Sequence, residues 1–170
     1  RALLEHIDAV NVDLKAFTAQ FYDVASFAEL QPVLDTLQLL AEQGVWFEIV
    51  NLVIPTLNDD LETIREMCRW IRDNLGDEVP VHFNRFFPAY KLTRLPPTPV
   101  ETLESARRIA LEEGLRYVYI GNVPGHPANS TYCAGCNRKV IGRTGFAVTE
   151  VNLDQGSCAS CGRELPGIWN

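Results

Sequence analysis

The sequence predicts an α/β fold of parallel strands joined by helices, followed by a zinc-ribbon-like module that carries four cysteines. Three observations support this. Short apolar runs alternate with helix-length amphipathic segments, the pattern of right-handed β-α-β crossovers. Glycine or proline punctuates most of the changes of element. The end of the chain then changes character, with Cys133-Ala-Gly-Cys136-Asn137 answered by Cys158-Ala-Ser-Cys161-Gly162.

The first strand is expected over Ile7 to Leu14. Side chains alternate along a strand, so Val10, Val12 and Leu14 share one face and Asn11, Asp13 and Lys15 the other. Three polar groups on one face are costly to bury without partners. Two readings stay open: a sheet-edge strand with a solvated face, or a strand whose polar face lines a ligand cavity at the carboxyl end of the sheet. Residues 17–43 read as mainly helical. Pro32 suits a first helical turn, Val33, Leu34, Leu37, Leu40 and Ala41 form the apolar stripe, and Gly44 is the stop. The second strand, Trp46 to Ile54, is apolar enough for a parallel strand buried on both sides, with Glu48 and Asn51 as its polar exceptions.

Asn58-Asp59-Asp60 places acidic groups at the start of the next helix, where the positive end of its dipole lies. Ile64, Met67, Cys68 and Ile71 form its buried stripe, and Gly76 ends it. The third strand is expected over Val79 to Phe87, with His82 and Asn84 on one face. The two-proline loop 88–97 either shapes a site or serves as a linker. Thr98-Pro99-Val100-Glu101 reads as a capping box with proline at the first helical position, opening a helix to Glu113. Tyr117 to Ile120 is the fourth strand. Lys139 to Ile141 and Phe146 to Val151 are short strand-like runs around Gly142 and Gly145, a zinc-ribbon outline. Four parallel strands with three helices make either a small open α/β sheet or part of a larger barrel. The expected division is 1–127 for this layer and 128–170 for the cysteine module.

Two Cys-x-x-Cys pairs separated by 21 residues have the spacing of a four-thiolate metal site, slightly longer than the usual range. A tetrahedral ion needs four donors, and two residues between paired cysteines let both sulfurs of a tight turn reach it. The residue after each second cysteine must often accept an unusual backbone angle; Asn137 and Gly162 are the residue types that tolerate one best. A Cys-x-x-Cys pair is a poor structural disulfide clamp, and neither pair opens a helix as redox pairs do. Zinc is the expected metal at Cys133, Cys136, Cys158 and Cys161, although a rubredoxin-like iron or an iron–sulfur cluster uses the same ligands. The fifth cysteine, Cys68, reads as a small buried core residue.

Net charge is −7, which disfavours non-specific binding to nucleic acid or an anionic membrane. No stretch approaches the roughly 20 apolar residues of a membrane span, and no signal-peptide pattern is visible, so a reducing cytoplasm is expected. The sequence contains no Gly-x-Gly-x-x-Gly, no P-loop, no Gly-x-Ser-x-Gly elbow and no evident nucleophile–His–acid set.

Several motifs follow one another in an order that points to a family. They are Asn11-Val-Asp-Leu-Lys15, Leu52-Val-Ile-Pro-Thr-Leu-Asn-Asp59, His82-Phe-Asn-Arg-Phe-Phe-Pro-Ala-Tyr-Lys91, Tyr117-Val-Tyr-Ile-Gly-Asn-Val-Pro-Gly125 and the double Cys-x-x-Cys. Over essentially its whole length the chain resembles the C-terminal half of the AmmeMemoRadiSam-system radical S-adenosylmethionine enzymes, relatives of pyruvate formate-lyase activating enzyme. The resemblance implies a partial (β/α) barrel with a C-terminal four-cysteine module. It also implies a chemistry in which a [4Fe–4S] cluster reduces S-adenosylmethionine, and the resulting 5′-deoxyadenosyl radical abstracts a hydrogen from a substrate. An Asp-x-Lys at a strand end contacts S-adenosylmethionine in these relatives, which points to Asp13 and Lys15; Asn51 and His82 match more loosely and are expected near the same cavity. Asp13 suits a ribose hydroxyl or the amino group, and Lys15 the carboxylate.

The sequence departs from the family in one respect. The cluster-binding Cys-x-x-x-Cys-x-x-Cys loop, which precedes the first strand in the family, is absent, and the chain opens Arg1-Ala2-Leu3-Leu4 without methionine. The expectation is a truncated enzyme that needs S-adenosylmethionine, an electron donor and a small-molecule or protein substrate, and that is inactive alone. The competing expectations are a non-catalytic zinc-ribbon binding module and a rubredoxin-like electron-transfer protein.

Overall fold

The computed structural model describes residues 4–145 and 147–169. Arg1, Ala2, Leu3, Phe146 and Asn170 lie outside it, including the predicted start of a strand at Phe146. Strands β1 (Ala9–Asp13), β2 (Trp46–Val53), β3 (Val81–Arg85) and β4 (Val118–Gly121) form one sheet in the order β1-β2-β3-β4. All three pairings are parallel, as helical crossovers demand. Helices α2 (Leu30–Glu42), α3 (Leu61–Leu75) and α4 (Val100–Glu112) provide those crossovers.

The core lies between the three helices and one face of the sheet. Leu37 and Leu40 of α2, Met67 and Ile71 of α3 and Leu103 and Ala106 of α4 pack with Ile49, Val53, Val81, Phe83 and Ile120 from the strands. Cys68 belongs to this core, and burial pushes its thiol up to about 12. The other sheet face is less covered. Along β2, burial alternates strictly, with Trp46, Glu48, Val50 and Leu52 only half-buried. The apolar run of β2 predicts burial on both sides. On this open face Leu52 packs against the small apolar cluster of Ala16, Phe21, Tyr22, Ile54 and Phe86, and Tyr119 meets Thr131 of the cysteine-bearing part of the chain. β1 is an edge strand, with Asn11 and Asp13 exposed and Val10 and Val12 half-buried.

The segment 17–43 is broken rather than one helix. A short turn, α1 (Ala19–Phe21), runs into a π-helical turn over Tyr22–Ser26, which Phe27 ends at a left-handed φ of 50°. Glu29 is extended, and α2 begins one residue later, so Pro32 does sit in its first turn. The start of α3 is as expected, with the Asp60 side chain accepting from the Thr63 amide at 2.8 Å.

Thr98 differs from expectation. The helix after it starts at Val100 and has no side-chain cap. The fully buried Thr98 hydroxyl instead donates to the Val53 carbonyl at 2.6 Å and accepts from the Phe86 amide at 2.9 Å, tying the carboxyl end of β2 to the residue after β3. The tertiary demand of two strand ends outweighs the local capping preference. Beyond the sheet, β5 (Thr131–Tyr132), β6 (Lys139–Thr144) and β7 (Ala147–Val151) form an antiparallel sheet, and β8 (Leu153–Asp154) pairs with β9 (Ser157–Cys158). Among the described residues no helix is long and apolar enough to cross a membrane.

Thr98→Val keeps the shape of this side chain but leaves a buried amide and carbonyl without partners. A loss of about 1–3 kcal/mol in urea unfolding is expected. A loss indistinguishable from zero would show that the hydroxyl does not hold the strand ends.

Candidate functional site

Two turns of matching geometry bring the four cysteines together. In the first, the Cys133 amide donates to the Arg138 carbonyl at 2.9 Å and the Asn137 amide donates to the Cys133 carbonyl at 2.8 Å. In the second, Cys158 donates to Arg163 and Gly162 to Cys158, both at 2.8 Å. Asn137 and Gly162 adopt φ of 57° and 74°, the left-handed geometry their residue types suggest. Within the first turn the Gly135 amide donates to Cys133 Sγ at 3.3 Å. Backbone amides, that of Ser160 first, lower the Cys158 thiol to about 6.

The four Sγ atoms all lie within 4.8 Å of one another. Contacts across the two turns are 3.6 Å for Cys133–Cys161 and 3.7 Å for Cys136–Cys158. A tetrahedron with metal–sulfur bonds of roughly 2.3 Å has edges of roughly 3.8 Å, so this donor set matches a single tetrahedral ion. The surroundings supply little other stabilisation. The apolar cluster around the cysteines consists of Tyr117, Val140 and Leu165 with Cys133 and Cys158, and every residue of β7 is exposed. A module with so small a core ordinarily needs a metal or disulfide to fold.

A second constellation lies on the main sheet. Asp13 ends β1, and its carboxylate meets Lys15 Nζ at 2.9 Å, with both side chains substantially accessible. The loop that carries Lys15 is tied down from below. Buried Asn51 donates to the Leu14 carbonyl at 2.8 Å and the Lys15 carbonyl at 3.1 Å. Asn58 donates to the same Lys15 carbonyl at 2.5 Å, and the Lys15 amide donates to the Tyr22 hydroxyl at 3.2 Å.

His82 stands elsewhere. The register pairs Val50 with His82 and Asn51 with Phe83, so alternation puts Asn51 on the helix side of the sheet and His82 on the open face. The expectation that Asn51 and His82 share a cavity is therefore corrected. Asp13 pairs with Val50 and so lies in the row of His82, on the open face. His82 Nε2 donates to the Glu48 carboxylate at 2.7 Å, and its ring stacks on Tyr119 with centroids 4.7 Å apart. That hydrogen bond, ahead of the opposing cost of burial, holds the Glu48 carboxyl below the usual carboxylate range. Asn84 lies one row further on, where Gly121 makes room for it: a Cβ at Gly121 would stand 1.9 Å from Asn84 Oδ1.

The loops leaving the carboxyl ends of the strands are strained. Each contains one non-glycine residue at positive φ: Phe27 after β1, Thr56 after β2, Tyr90 after β3 and Asn122 after β4. Such residues cost on the order of 1–3 kcal/mol each and cluster where function constrains the backbone. Sequence reasoning has no signal for Tyr22. Tyr119 is visible only inside the Tyr117–Gly125 motif, Asn58 as a helix start within the Leu52–Asp59 motif, and Glu48 as a polar residue in an apolar strand.

No protein-family model matches the chain. Over 161 residues, 94% of its length, the chain is 47% identical to an uncharacterized protein of Methanocaldococcus jannaschii, and it spans 48% of that protein, about half. Among solved structures, a domain of pyruvate-formate lyase-activating enzyme from Bacteroides vulgatus superposes with a TM-score of 0.60 over 71% of each chain, at 16% identity. At that identity the likeness shows the fold: the protein is built on the α/β architecture of that domain, and a cluster of four cysteines lies C-terminal to its four-stranded parallel sheet.

Cys136→Ser is expected to abolish stoichiometric metal binding and to open 132–169 to proteases, while the helical far-UV signal of α2, α3 and α4 persists. Binding free energies of about 10–16 kcal/mol in zinc-finger peptides set the scale of what such a module loses. Equal protease resistance in variant and parent would contradict a metal-dependent fold.

Proposed function

We propose that this chain is the C-terminal portion of a radical S-adenosylmethionine enzyme of the AmmeMemoRadiSam type, related to pyruvate formate-lyase activating enzyme. The observation that carries the reading is the Asp13–Lys15 pair at the carboxyl end of a parallel strand, on a fold shared with an activating-enzyme domain. Ligands of open α/β sheets bind at that end of the strands, and the strained loops are gathered there.

Asp13 accepts from a ribose hydroxyl or the amino group of S-adenosylmethionine, and Lys15 donates to its carboxylate. The two already neutralise each other at 2.9 Å, so a zwitterionic ligand exchanges one ion pair for two. Asn51 acts through Lys15, as a positioning residue under its loop. His82, in the row of Asp13, faces the space beside the ligand. A [4Fe–4S] cluster supplies the electron for reductive cleavage in such enzymes. The Cys-x-x-x-Cys-x-x-Cys loop that holds it there does not occur in this sequence. The isolated chain is therefore expected to lack cleavage activity; the whole protein takes an electron donor and a small-molecule or protein substrate in a reducing, cytoplasmic setting.

Cys133, Cys136, Cys158 and Cys161 hold one structural zinc ion. Four sulfurs this close suit a single ion better than a cubane, whose cysteines cap four separate irons. On this reading 1–127 is the catalytic layer and 128–170 a separate metal-dependent unit.

Saturation-transfer NMR on the zinc-loaded chain tests the cofactor role. S-adenosylmethionine is expected to show contact at its ribose and methionine protons, and Lys15→Ala to weaken binding about tenfold, the loss of one charge-assisted hydrogen bond. Identical affinity in parent and variant would contradict the assignment, and 5′-deoxyadenosine formed by the isolated chain with dithionite would contradict its inactivity.

A further inference from the structure

A small cavity of about 180 Å³ lies between the open face of the main sheet and the antiparallel sheet of β5, β6 and β7, walled by Glu48, His82, Tyr119, Gly121, Asn129 and Arg143 among others. Glu48, His82 and Tyr119 come from β2, β3 and β4, and Arg143 comes from β6. The site thus exists only where the two parts of the protein meet.

Its two formal charges are of opposite sign, and they do not pair directly. Arg143 forms no ion pair among the described residues; one terminal nitrogen donates to Thr131 Oγ1 at 2.8 Å, which leaves the other guanidinium donors uncommitted among the described residues. Glu48 engages His82 through one carboxylate oxygen. A guanidinium and a carboxylate facing one half-buried space each gain from a partner of opposite charge. A simple anion satisfies Arg143 but stands against Glu48; a simple cation does the reverse. A molecule with both charges satisfies both, which makes the cavity selective by repulsion as well as attraction.

Size limits the occupant further. The volume is below the roughly 300–1,000 Å³ of pockets for drug-sized ligands. The His82–Tyr119 stack adds a flat aromatic wall, and Asn129 adds an amide that both donates and accepts. A second hollow of about 190 Å³ shares Glu48, Tyr119 and Arg143 and is walled further by Trp46 and Ile141, giving space for an apolar side chain next to the charged groups. We propose that the space between the sheet and the cysteine module is a binding site for a small zwitterion of the α-amino acid class, its carboxylate on Arg143 and its ammonium group on Glu48.

The test is calorimetric titration and NMR chemical-shift mapping of the zinc-loaded chain with L-alanine, sodium acetate and methylammonium chloride as separate probes. L-alanine is expected to bind saturably and to shift the resonances of His82 and Tyr119, with acetate and methylammonium at least about tenfold weaker. Glu48→Gln and Arg143→Gln should each weaken L-alanine about tenfold, while Arg143→Lys should retain most of the affinity. The two glutamine variants lie in different sheets, so a folding failure of one leaves the other decisive; metal content and circular dichroism report on both. Absence of saturable L-alanine binding, acetate binding as tightly as L-alanine, or glutamine variants with unchanged affinity would each overturn the proposal. The readout is independent of S-adenosylmethionine, so it stands or falls separately from the radical-enzyme reading.

Discussion

Four thiol sulfurs held within 4.8 Å of one another are the constraint on which the C-terminal part of this protein depends. Thiolates at such distances repel unless a cation lies among them, and few apolar contacts are available to offset that repulsion. Val140 and Leu165 are the main aliphatic residues buried around the cysteines, while β7 stays exposed along its length. Two turns with identical backbone hydrogen bonding, each ending in a residue at positive φ, hold the sulfurs in place. The module in turn covers part of the open face of the main sheet. Tyr119 meets Thr131 at 3.1 Å, and Arg163 reaches Glu78 at 2.8 Å. Whatever orders the cysteines therefore also shapes the polar space over Glu48 and His82.

The main sheet positions its functional groups from its own core. Asn51 and Asn58, like Thr98, are buried polar residues in a largely apolar interior. Their amides grip the carbonyls of Leu14 and Lys15, and that grip fixes the loop on which Lys15 stands. Hydrogen-bonded amide nitrogens of this kind specify one arrangement of the backbone, while the buried Asn51 Oδ1 finds no partner among the described residues. Placing buried asparagines beneath an accessible lysine side chain separates the task of holding the loop from the task of meeting a ligand.

Much of this is legible in the sequence, and the exceptions share a physical cause. Alternation in β1 identifies the face that carries Asn11 and Asp13, because side-chain period is a local property. Asn137 and Gly162 announce the two bends through their tolerance of positive φ. Thr98 misleads, because its local pattern is that of a helix cap while two strand ends in space claim its hydroxyl. The placement of Asn51 opposite His82 depends on strand register, which no single segment encodes. Arg143 carries no sequence signal at all, since its importance comes from an element that folds back over β2, β3 and β4, which lie earlier in the chain.

X-ray absorption at the metal edge of the purified chain tests the central claim most directly. One zinc per chain, with four sulfur neighbours at roughly 2.3 Å and no other coordinating atom, is the predicted result. A coordination shell containing oxygen or nitrogen, or a second metal scatterer of the kind an iron–sulfur cluster gives, would contradict a single tetrathiolate ion as the organising centre of the module.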